Sequence, residues 1–504
     1  MMKILKGILS RITFILIAIV IEAYITIHIF RWFGENAAWL ETLIRLISVI
    51  VVLMINKNSK HLSSDIIWIV IIVALPVPGT ILYFALGANL ITSDTYKSLQ
   101  ASTLDAQKYY VQNKTVYKEL SDDYLGQVNY ISKSAGFPFY RNTGFDYYEL
   151  GEVGFPIMLE ELKKAKKFIF IEYFIIEEGI MWDQILQVLQ EKVKEGVDVR
   201  VMYDDLGSFF TLSVSYANKL EKMGIKALPF NRVNPIIGII MNHRDHRKIM
   251  VIDGKVAFSG GINLADEYIN VKIKHGQWKD NCIRVTGQAV WSYTVMFLTH
   301  WNALRKEDES FLPFKVNSNS KDYDGYIAPY GQTPFGGELI AQNIYINILN
   351  QAKKYCYIFT PYLIIDQEMI NSLVLAAKRG VDVRIVTPGI PDKKIVYSIT
   401  RSYYKVLLEG GVKIFEYSPG FLHSKVFVCD DVVATVGTVN LDYRSLYLHF
   451  ENGTYLYKSS KILDIKKDVT NTMKKSHQVK IEELPNGIIR SFLLSILRLF
   501  APMM

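Results

Sequence analysis

Two stretches of the sequence each hold a histidine and a lysine two residues apart, followed by an aspartate. The first is "HRKIMVIDGKVAFSGGIN" at 246–263, and the second is "HSKVFVCDDVVATVGTVN" at 423–440. Residues two apart on a β-strand share one face, so each histidine lies beside its lysine. The spacing also recurs through the glycine and the final asparagine, at a constant separation of 177 residues. The chain therefore contains an internal duplication, and the repeated unit carries this pair.

These residue types predict chemistry on a phosphate group. An imidazole can attack phosphorus or transfer a proton, while a lysine and an asparagine stabilise the non-bridging oxygens. If the two copies meet, one histidine attacks and the other protonates the leaving alkoxide, and the roles then reverse for an incoming hydroxyl. The residues alone leave open which histidine attacks. The predicted catalytic residues are His246, Lys248, Asp253, His423, Lys425 and Asp430, and the predicted phosphate-binding residues are Asn263 and Asn440.

The two aspartates are expected to act away from the histidines. Each lies seven residues after its histidine, in the turn of a predicted hairpin. Seven residues of strand span roughly 23 Å, which is too far for a hydrogen bond to that histidine. Each aspartate is therefore expected to fix the turn or to pair with a distant cation. Neither copy spaces carboxylates to hold a metal ion, so the sequence predicts no metal and no cofactor.

The elements around the motifs predict an α/β fold. "KFIFIEYFII" reads as a strand, "MWDQILQVLQEKVKEG" as a helix and "VDVRVMYDD" as a strand, and the second half repeats this order. We expect a mixed β-sheet flanked by helices in each repeat, with the repeats packed in pseudo-two-fold symmetry. The predicted divisions are a membrane anchor at 1–90, a polar helical connector at 91–144, the first repeat at 145–305, a linker at 306–337, the second repeat at 338–475 and an amphipathic segment at 476–504.

The first 90 residues predict a membrane anchor. Segment 12–30 is long and apolar enough to cross a bilayer, and segments 39–55 and 66–86 are also apolar. No small-residue cleavage site follows segment 12–30, so an anchor fits better than a cleaved signal peptide. Because "LPVPG" interrupts the third segment, we expect two to three transmembrane segments. The sequence leaves open on which side of the membrane the repeats lie. The net charge of +8 suits an anionic substrate or membrane surface.

The duplicated string H-x-K-x4-D-x6-G-x2-N is similar to the signature of the phospholipase D superfamily. "LPVPGTILYFALGANL", "WKDNCIRVTGQAV" and "NLDYRSLYLHFEN" resemble segments of bacterial cardiolipin synthases. The resemblance implies two phospholipase D-like repeats and a multi-pass protein of the bacterial cytoplasmic membrane. It also implies a transferase that joins two phosphatidylglycerols into cardiolipin and releases glycerol through a phosphatidyl-histidine. It favours His246 as the nucleophile and His423 as the acid and base.

The resemblance also implies a carboxylate that orients each histidine. Glu451 in "FEN" is expected to orient His423, and Glu267 in "ADEY" is expected to orient His246. The expected partners are phosphatidylglycerol and membrane lipids, and the sequence indicates no oligomeric state. The alternatives are a phospholipase- or nuclease-type hydrolase, a phosphatidyltransferase with another alcohol acceptor, and a scaffold whose motifs are relics. Two complete motifs argue against the scaffold, and the membrane segments argue against binding of nucleic acid.

Overall fold

A computed structural model gives the arrangement of most of the chain. It describes Tyr24, His28 and residues 38–58, 62–76, 79–80, 83–84, 94–120, 124–232, 243–306, 309–335, 337–484, 487, 494–495 and 497–498. The chain divides into two units. The smaller unit comprises Met1–Asp94, Asn231–Asn242 and Pro502–Met504, and the larger comprises Thr95–Phe230 and His243–Ala501.

The smaller unit contains the helices Ala38–Asn58 and Leu62–Ala74. The predicted segment 39–55 lies within the first helix. The first part of segment 66–86 lies within the second helix, which ends at Ala74 directly before the run Leu-Pro-Val-Pro-Gly. Apart from Tyr24 and His28, segment 12–30 lies outside the described residues. Among the described residues, no helix is both long enough and apolar enough to cross a membrane, so the expected spans are not found there.

The first repeat is built on a seven-stranded sheet. Its strand order is β1-β8-β6-β5-β2-β3-β4. Strands β2, β3 and β4 run parallel, and the remaining neighbours are antiparallel. The strands are β1 Thr143–Tyr148, β2 Phe168–Tyr173, β3 Asp198–Asp204, β4 Lys226–Phe230, β5 Lys248–Ile252, β6 Val256–Gly260, β7 Gln277–Lys279 and β8 Cys282–Gly287, of which β7 lies outside this sheet.

The second repeat has an eight-stranded sheet with the same plan. Its strand order is β19-β13-β12-β10-β15-β16-β18-β9, and the run from β13 to β18 corresponds to the run from β4 to β8. The strands are β9 Tyr326–Gln332, β10 Tyr355–Phe359, β11 Leu363–Ile364, β12 Asp382–Pro388, β13 Lys413–Tyr417, β14 Gly420–Leu422, β15 Val426–Cys429, β16 Val433–Gly437, β17 Leu441–Asp442, β18 Glu451–Tyr457 and β19 Ser476–Gln478. The prediction of two α/β repeats with mixed sheets is confirmed.

Two boundaries differ from the sequence expectation. Strand β9 lies inside the predicted linker 306–337 and pairs along its whole length with β18. Its sequence, YIAPYGQ, contains a proline and a glycine that indicate a loop, but a proline is tolerated on an edge strand. Strand β19 lies in the predicted C-terminal segment 476–504 and forms the other edge of the sheet.

Helices cover the sheets and contribute to one shared core. Val290–Arg305 is buried from Val290 to Ala303 and packs on β5 of the first sheet and β9 of the second. Because it is buried on all sides, this helix belongs to the core that the two sheets share. Besides the two helices of the smaller unit, the other α-helices with described bounds are Asp94–Ala106, Lys114–Glu119, Leu125–Asn129, Gly151–Lys163, Ile180–Lys194, Tyr216–Glu221, Ile340–Gln351, Gln367–Lys378, Lys394–Ser402, Tyr404–Glu409 and Ile462–Lys474.

The turns after β5 and β15 tie each hairpin to the start of the neighbouring strand. Asp253 and Asp430 adopt positive φ angles of 52° and 55°. Their carboxylates accept hydrogen bonds at 2.6–3.0 Å from three successive backbone N–H groups, those of Lys166, Lys167 and Phe168 in one repeat and those of Lys353, Lys354 and Tyr355 in the other. Both aspartates thus lie at the end of the strand opposite the histidine. This geometry indicates that both aspartates fix the turn, although the sequence analysis named them among the catalytic residues.

We expect Asp253→Ala to destabilise the fold without removing chemistry from the site. The substitution leaves three backbone donors without their charged acceptor, which costs about 2–3 kcal/mol of unfolding free energy. Thermal unfolding of the purified protein checks this, with Lys255→Ala in the same turn as the control because Lys255 is exposed. Unchanged stability together with a thousandfold loss of activity would show that Asp253 acts in catalysis instead.

Candidate active site

The two histidines are brought to one place by backbone contacts between the repeats. His246 lies two residues before Lys248, which pairs with Tyr173 at the carboxyl end of β2. Its N–H donates to the carbonyl of Phe450 at 2.8 Å, and the N–H of His423 donates to the carbonyl of Lys279 at 2.7 Å. Phe450 and Lys279 occupy equivalent places in the two repeats. The contacts between the repeats are therefore reciprocal, as pseudo-two-fold packing requires.

Each imidazole is held by a carboxylate from the opposite repeat. His246 Nδ1 lies 2.9 Å from both carboxylate oxygens of Glu451. His423 Nδ1 lies 2.6 Å from Asp280 Oδ2. Because a carboxylate accepts, Nδ1 carries the proton in both rings and Nε2 keeps its lone pair for chemistry.

Both predicted orienting pairs are corrected by this geometry. Glu451 contacts His246 rather than His423, because the start of β18 faces the other repeat. Glu267 is buried but lies 3.4 Å from Lys274 Nζ, and His246 takes its carboxylate from Glu451 instead. The sequence analysis missed Asp280. A signal existed, since each repeat has an acid followed by asparagine, Asp280-Asn281 directly before β8 and Glu451-Asn452 at the start of β18.

The lysines present two buried ammonium groups to the same space. Lys248 Nζ donates to the carbonyl of His246 at 2.9 Å, and Lys425 Nζ donates to the carbonyl of His423. Burial lowers the pKa of Lys248 to about 8 and that of Lys425 to about 7. A phosphate anion between them would favour the charged form of both lysines, because an opposite charge stabilises an ammonium group.

The protonation of the imidazoles suits a nucleophile and a base. Burial, reinforced by Lys425, lowers the pKa of His423 to about 4. Burial and Lys248 lower the pKa of His246 well below its usual value. Burial opposes charge on Asp280, but His423 and Lys425 outweigh it and leave the pKa of that carboxyl below its usual value. Both rings are therefore neutral near pH 7, with a free Nε2.

The two predicted phosphate-binding asparagines have partners within the protein. Asn263 Oδ1 accepts from the N–H of Ile175 at 3.1 Å, and its Nδ2 donates to the Tyr268 hydroxyl at 2.7 Å. Asn440 interacts with the carboxyl group of Asp442. Their contact with a phosphate therefore stays a prediction.

Asn452, which the sequence analysis did not single out, links the two repeats next to the site. Its Oδ1 accepts from the N–H of Lys248 at 3.2 Å, and its Nδ2 donates to the Ser259 hydroxyl at 2.7 Å. Both contacts reach from the second repeat into β5 and β6 of the first. Asn452 therefore helps to fix the lysine of one motif against the strand that carries Glu451.

Among the described residues, two groups of side chains have the composition of a metal site. Each group has ligand atoms within 4.8 Å of one another, and the groups are His246, His449 and Glu451, and Glu172, Asp245 and His300. Lys248 and Lys425 give the first group positive neighbours, which oppose a cation. In the second, His300 Nδ1 already lies 2.9 Å from Glu172 and 3.7 Å from Asp245. That no metal takes part in the reaction therefore stays a prediction, which a chelator can test.

Comparisons with known proteins agree with the fold and give the family of the chain. A family model described as cardiolipin synthase, PLD-like domain, matches residues 158–292 and 345–476. A protein of Streptococcus mutans serotype c, whose name states no function, is 44% identical over 90% of this chain and 99% of its own length. A cardiolipin synthase of Halalkalibacterium halodurans is 32% identical over 90% of this chain and 92% of its own length.

A solved structure supports the fold alone. The crystal structure of phosphatidylserine synthase from Haemophilus influenzae Rd KW20 superposes with a TM-score of 0.57 and 15% identity, covering 75% of this chain and 98% of that one. Two matched α/β repeats, each with one His-x-Lys motif, define a phospholipase D-like protein. Within that class, the chain belongs to the cardiolipin synthase family.

We expect kcat/KM for an anionic phospholipid to fall as pH rises through about 7 to 8. The pKa values of Lys425 and Lys248 lie there, and a lysine loses its charge as pH rises through its pKa. Because kcat/KM reports the free enzyme, the fall follows these groups before lipid binds. Lys425→Arg should move the fall to higher pH, whereas Lys255→Arg at an exposed site should not. A profile that stays flat through this range contradicts the assignment.

Proposed function

We propose that the protein is a phosphatidyltransferase that makes cardiolipin and glycerol from two molecules of phosphatidylglycerol. The observation that carries the proposal is the pair of imidazole–carboxylate couples, each completed by the opposite repeat and flanked by a buried lysine. Membership of the cardiolipin synthase family supports phosphatidylglycerol as the substrate.

The proposed reaction is a double displacement at phosphorus. Nε2 of one histidine attacks the phosphorus, and the bond from phosphorus to the glycerol oxygen breaks. The other histidine takes up a proton on Nε2 as the phosphate anion binds, because the negative charge favours the imidazolium, and it gives that proton to the glycerol oxygen. The second histidine then takes a proton from the hydroxyl of the acceptor lipid. The new phosphorus–oxygen bond forms as the phosphorus–nitrogen bond breaks, which restores both imidazoles. Lys248 and Lys425 stabilise the charge on the non-bridging oxygens throughout.

We also propose that the protein acts at the bacterial cytoplasmic membrane. Residues 1–90 are the proposed anchor, with segment 12–30 as the first crossing segment because its length and apolar composition fit a bilayer. The family of the chain supports a membrane lipid as the substrate. Cysteine-accessibility labelling at residue 3 and at residue 255 in intact cells and in lysed cells tests both the anchor and its orientation.

We expect His246→Ala and His423→Ala each to abolish cardiolipin formation. Each histidine must fill two roles per turnover, and single losses in such units cost on the order of 10³-fold or more. Purified protein with labelled phosphatidylglycerol in mixed micelles gives the rate and the product, and added EDTA should leave the wild-type rate unchanged.

Three results would contradict this account. Retention of a tenth of the activity by either variant rules out the two-histidine scheme. Phosphatidic acid plus glycerol as the products would identify a hydrolase. Loss of activity in EDTA, restored by one divalent metal, would establish a metal requirement.

We expect a phosphatidyl group to accumulate on one histidine when the acceptor lipid is scarce. Phosphohistidine survives base but not acid, so quenching in base followed by peptide mapping locates the label. The family resemblance favours residues 244–248, which contain His246, and His423→Ala should then slow labelling by removing the proton donor. Label on residues 421–425 reverses the two roles but keeps the chemistry. Failure to find label on either peptide contradicts the covalent route.

A further inference from the structure

A strand bridge beside His246 brings two basic side chains together. Asp245 pairs with Phe450 as in a parallel sheet, and the N–H of Phe450 donates to the carbonyl of Arg244 at 2.8 Å. Arg244 and His449 each directly precede a member of this pair, so they are neighbours across the bridge. The rings of His449 and His246 lie 5.7 Å apart.

The equivalent bridge beside His423 is apolar. Leu422 pairs with Lys279, and the residues before them are Phe421 and Trp278, whose rings lie 4.7 Å apart. The Trp278 ring lies 5.7 Å from His423, the same separation as between His449 and His246. One half of the site thus has a guanidinium and an imidazole where the other half has two aromatic rings.

Arg444 adds a second guanidinium on the same side. The N–H of His449 donates to the carbonyl of Arg444 at 2.9 Å. The matching position in the first repeat is Glu267, so the charge at this position is opposite in the two halves. Burial lowers the pKa of His449 well below its usual value, and the positive charges of Arg444 and Arg244 lower it further. The imidazole therefore lies in a positive potential.

Carboxyl groups also face this cluster. Asp204 lies 3.9 Å from Arg244 Nη1, and Glu451 lies 3.8 Å from His449 Nδ1. Burial raises the pKa of Asp204 to about 7 and also raises the pKa of Glu451 and Asp442. Both arginines stay charged at neutral pH, and a raised pKa makes each of these carboxyl groups easier to protonate beside a bound anion. The cluster therefore offers two permanent positive charges to an anion.

The buried side chain of His449 has hydrogen-bonding capacity left over. Neither of its ring nitrogens bonds to another residue in the described part of the chain. A buried polar group without a partner is costly, and a ligand with oxygen acceptors would remove that cost. Because the charges of Arg444 and Arg244 act on the ring, an anion suits it better than a metal ion.

We infer that Arg244, Arg444 and His449 form a second anion subsite, which binds the phosphodiester of the acceptor phospholipid. The inference rests on the proposed transfer between two phosphatidylglycerols, since only then does a second phosphate enter the site. In the acceptor, three glycerol carbons separate the reacting hydroxyl from its own phosphate, a span of about 5 Å from standard bond lengths. The rings of His449 and His246 lie 5.7 Å apart, so this cluster is adjacent to the reaction centre. The subsite binds the acceptor, whichever histidine carries the phosphatidyl group.

Two acceptors, one with and one without a phosphate, test the subsite in the full-length protein in mixed micelles. Phosphatidylglycerol as the acceptor gives cardiolipin. Labelled free glycerol exchanges into phosphatidylglycerol through the same donor step but carries no phosphate. We expect Arg444→Gln and His449→Gln to lower cardiolipin formation about tenfold or more, while glycerol exchange stays within about twofold of the wild type.

Matched variants separate binding from folding. Arg444→Lys keeps the charge and should recover much of the cardiolipin rate, and Arg141→Gln, which removes an exposed ion pair with Glu119, should change neither reaction. Equal loss of both reactions in the Gln variants, or no loss of either, contradicts the subsite. A wild-type protein that exchanges glycerol but makes no cardiolipin contradicts the proposed function itself, and so the two failures are distinguishable.

Discussion

Each catalytic imidazole depends on a carboxylate that the other repeat supplies. Glu451 holds His246 and Asp280 holds His423, at 2.9 and 2.6 Å. Neither repeat alone contains a histidine together with the acid that fixes its tautomer. The backbone hydrogen bonds from His246 to Phe450 and from His423 to Lys279 align the two repeats so that each acid reaches the histidine of the other repeat. The shared core, the helix Val290–Arg305 and the reciprocal bridges all serve to keep the two repeats in that alignment.

Burial is what makes these ordinary residues reactive. Out of water, a charge on an imidazole or an ammonium group is costly, so both histidines are neutral near pH 7 and both lysines titrate close to it. The negative charge of a phosphodiester that enters between the lysines favours the protonated form of both. The site is thus suited to an anion before any substrate-specific contact is considered. Arg244, Arg444 and His449 then break the symmetry, because the corresponding positions near His423 are Phe421, Glu267 and Trp278.

Much of this could be predicted from the sequence because it follows local periodicity. The duplicated spacing identified both His-Lys pairs, and strand and helix patterns identified two α/β repeats. The orienting acids were assigned wrongly because they depend on contacts between the repeats, which no local pattern encodes. Glu451 is close in sequence to His423 but close in space to His246. Strand β9 was missed since its Pro and Gly resemble a loop, and only pairing with β18 makes it a strand.

The central claim is that two histidines from different repeats act in succession on one phosphorus atom. The stereochemistry at phosphorus tests it most directly. Phosphatidylglycerol made chiral at phosphorus with sulfur or oxygen isotopes would be converted by the purified protein, and the configuration of the transferred phosphatidyl group measured in the product. Two successive in-line displacements, one on and one off a histidine, predict overall retention of configuration. Inversion would mean a single direct displacement by the acceptor and would contradict the account.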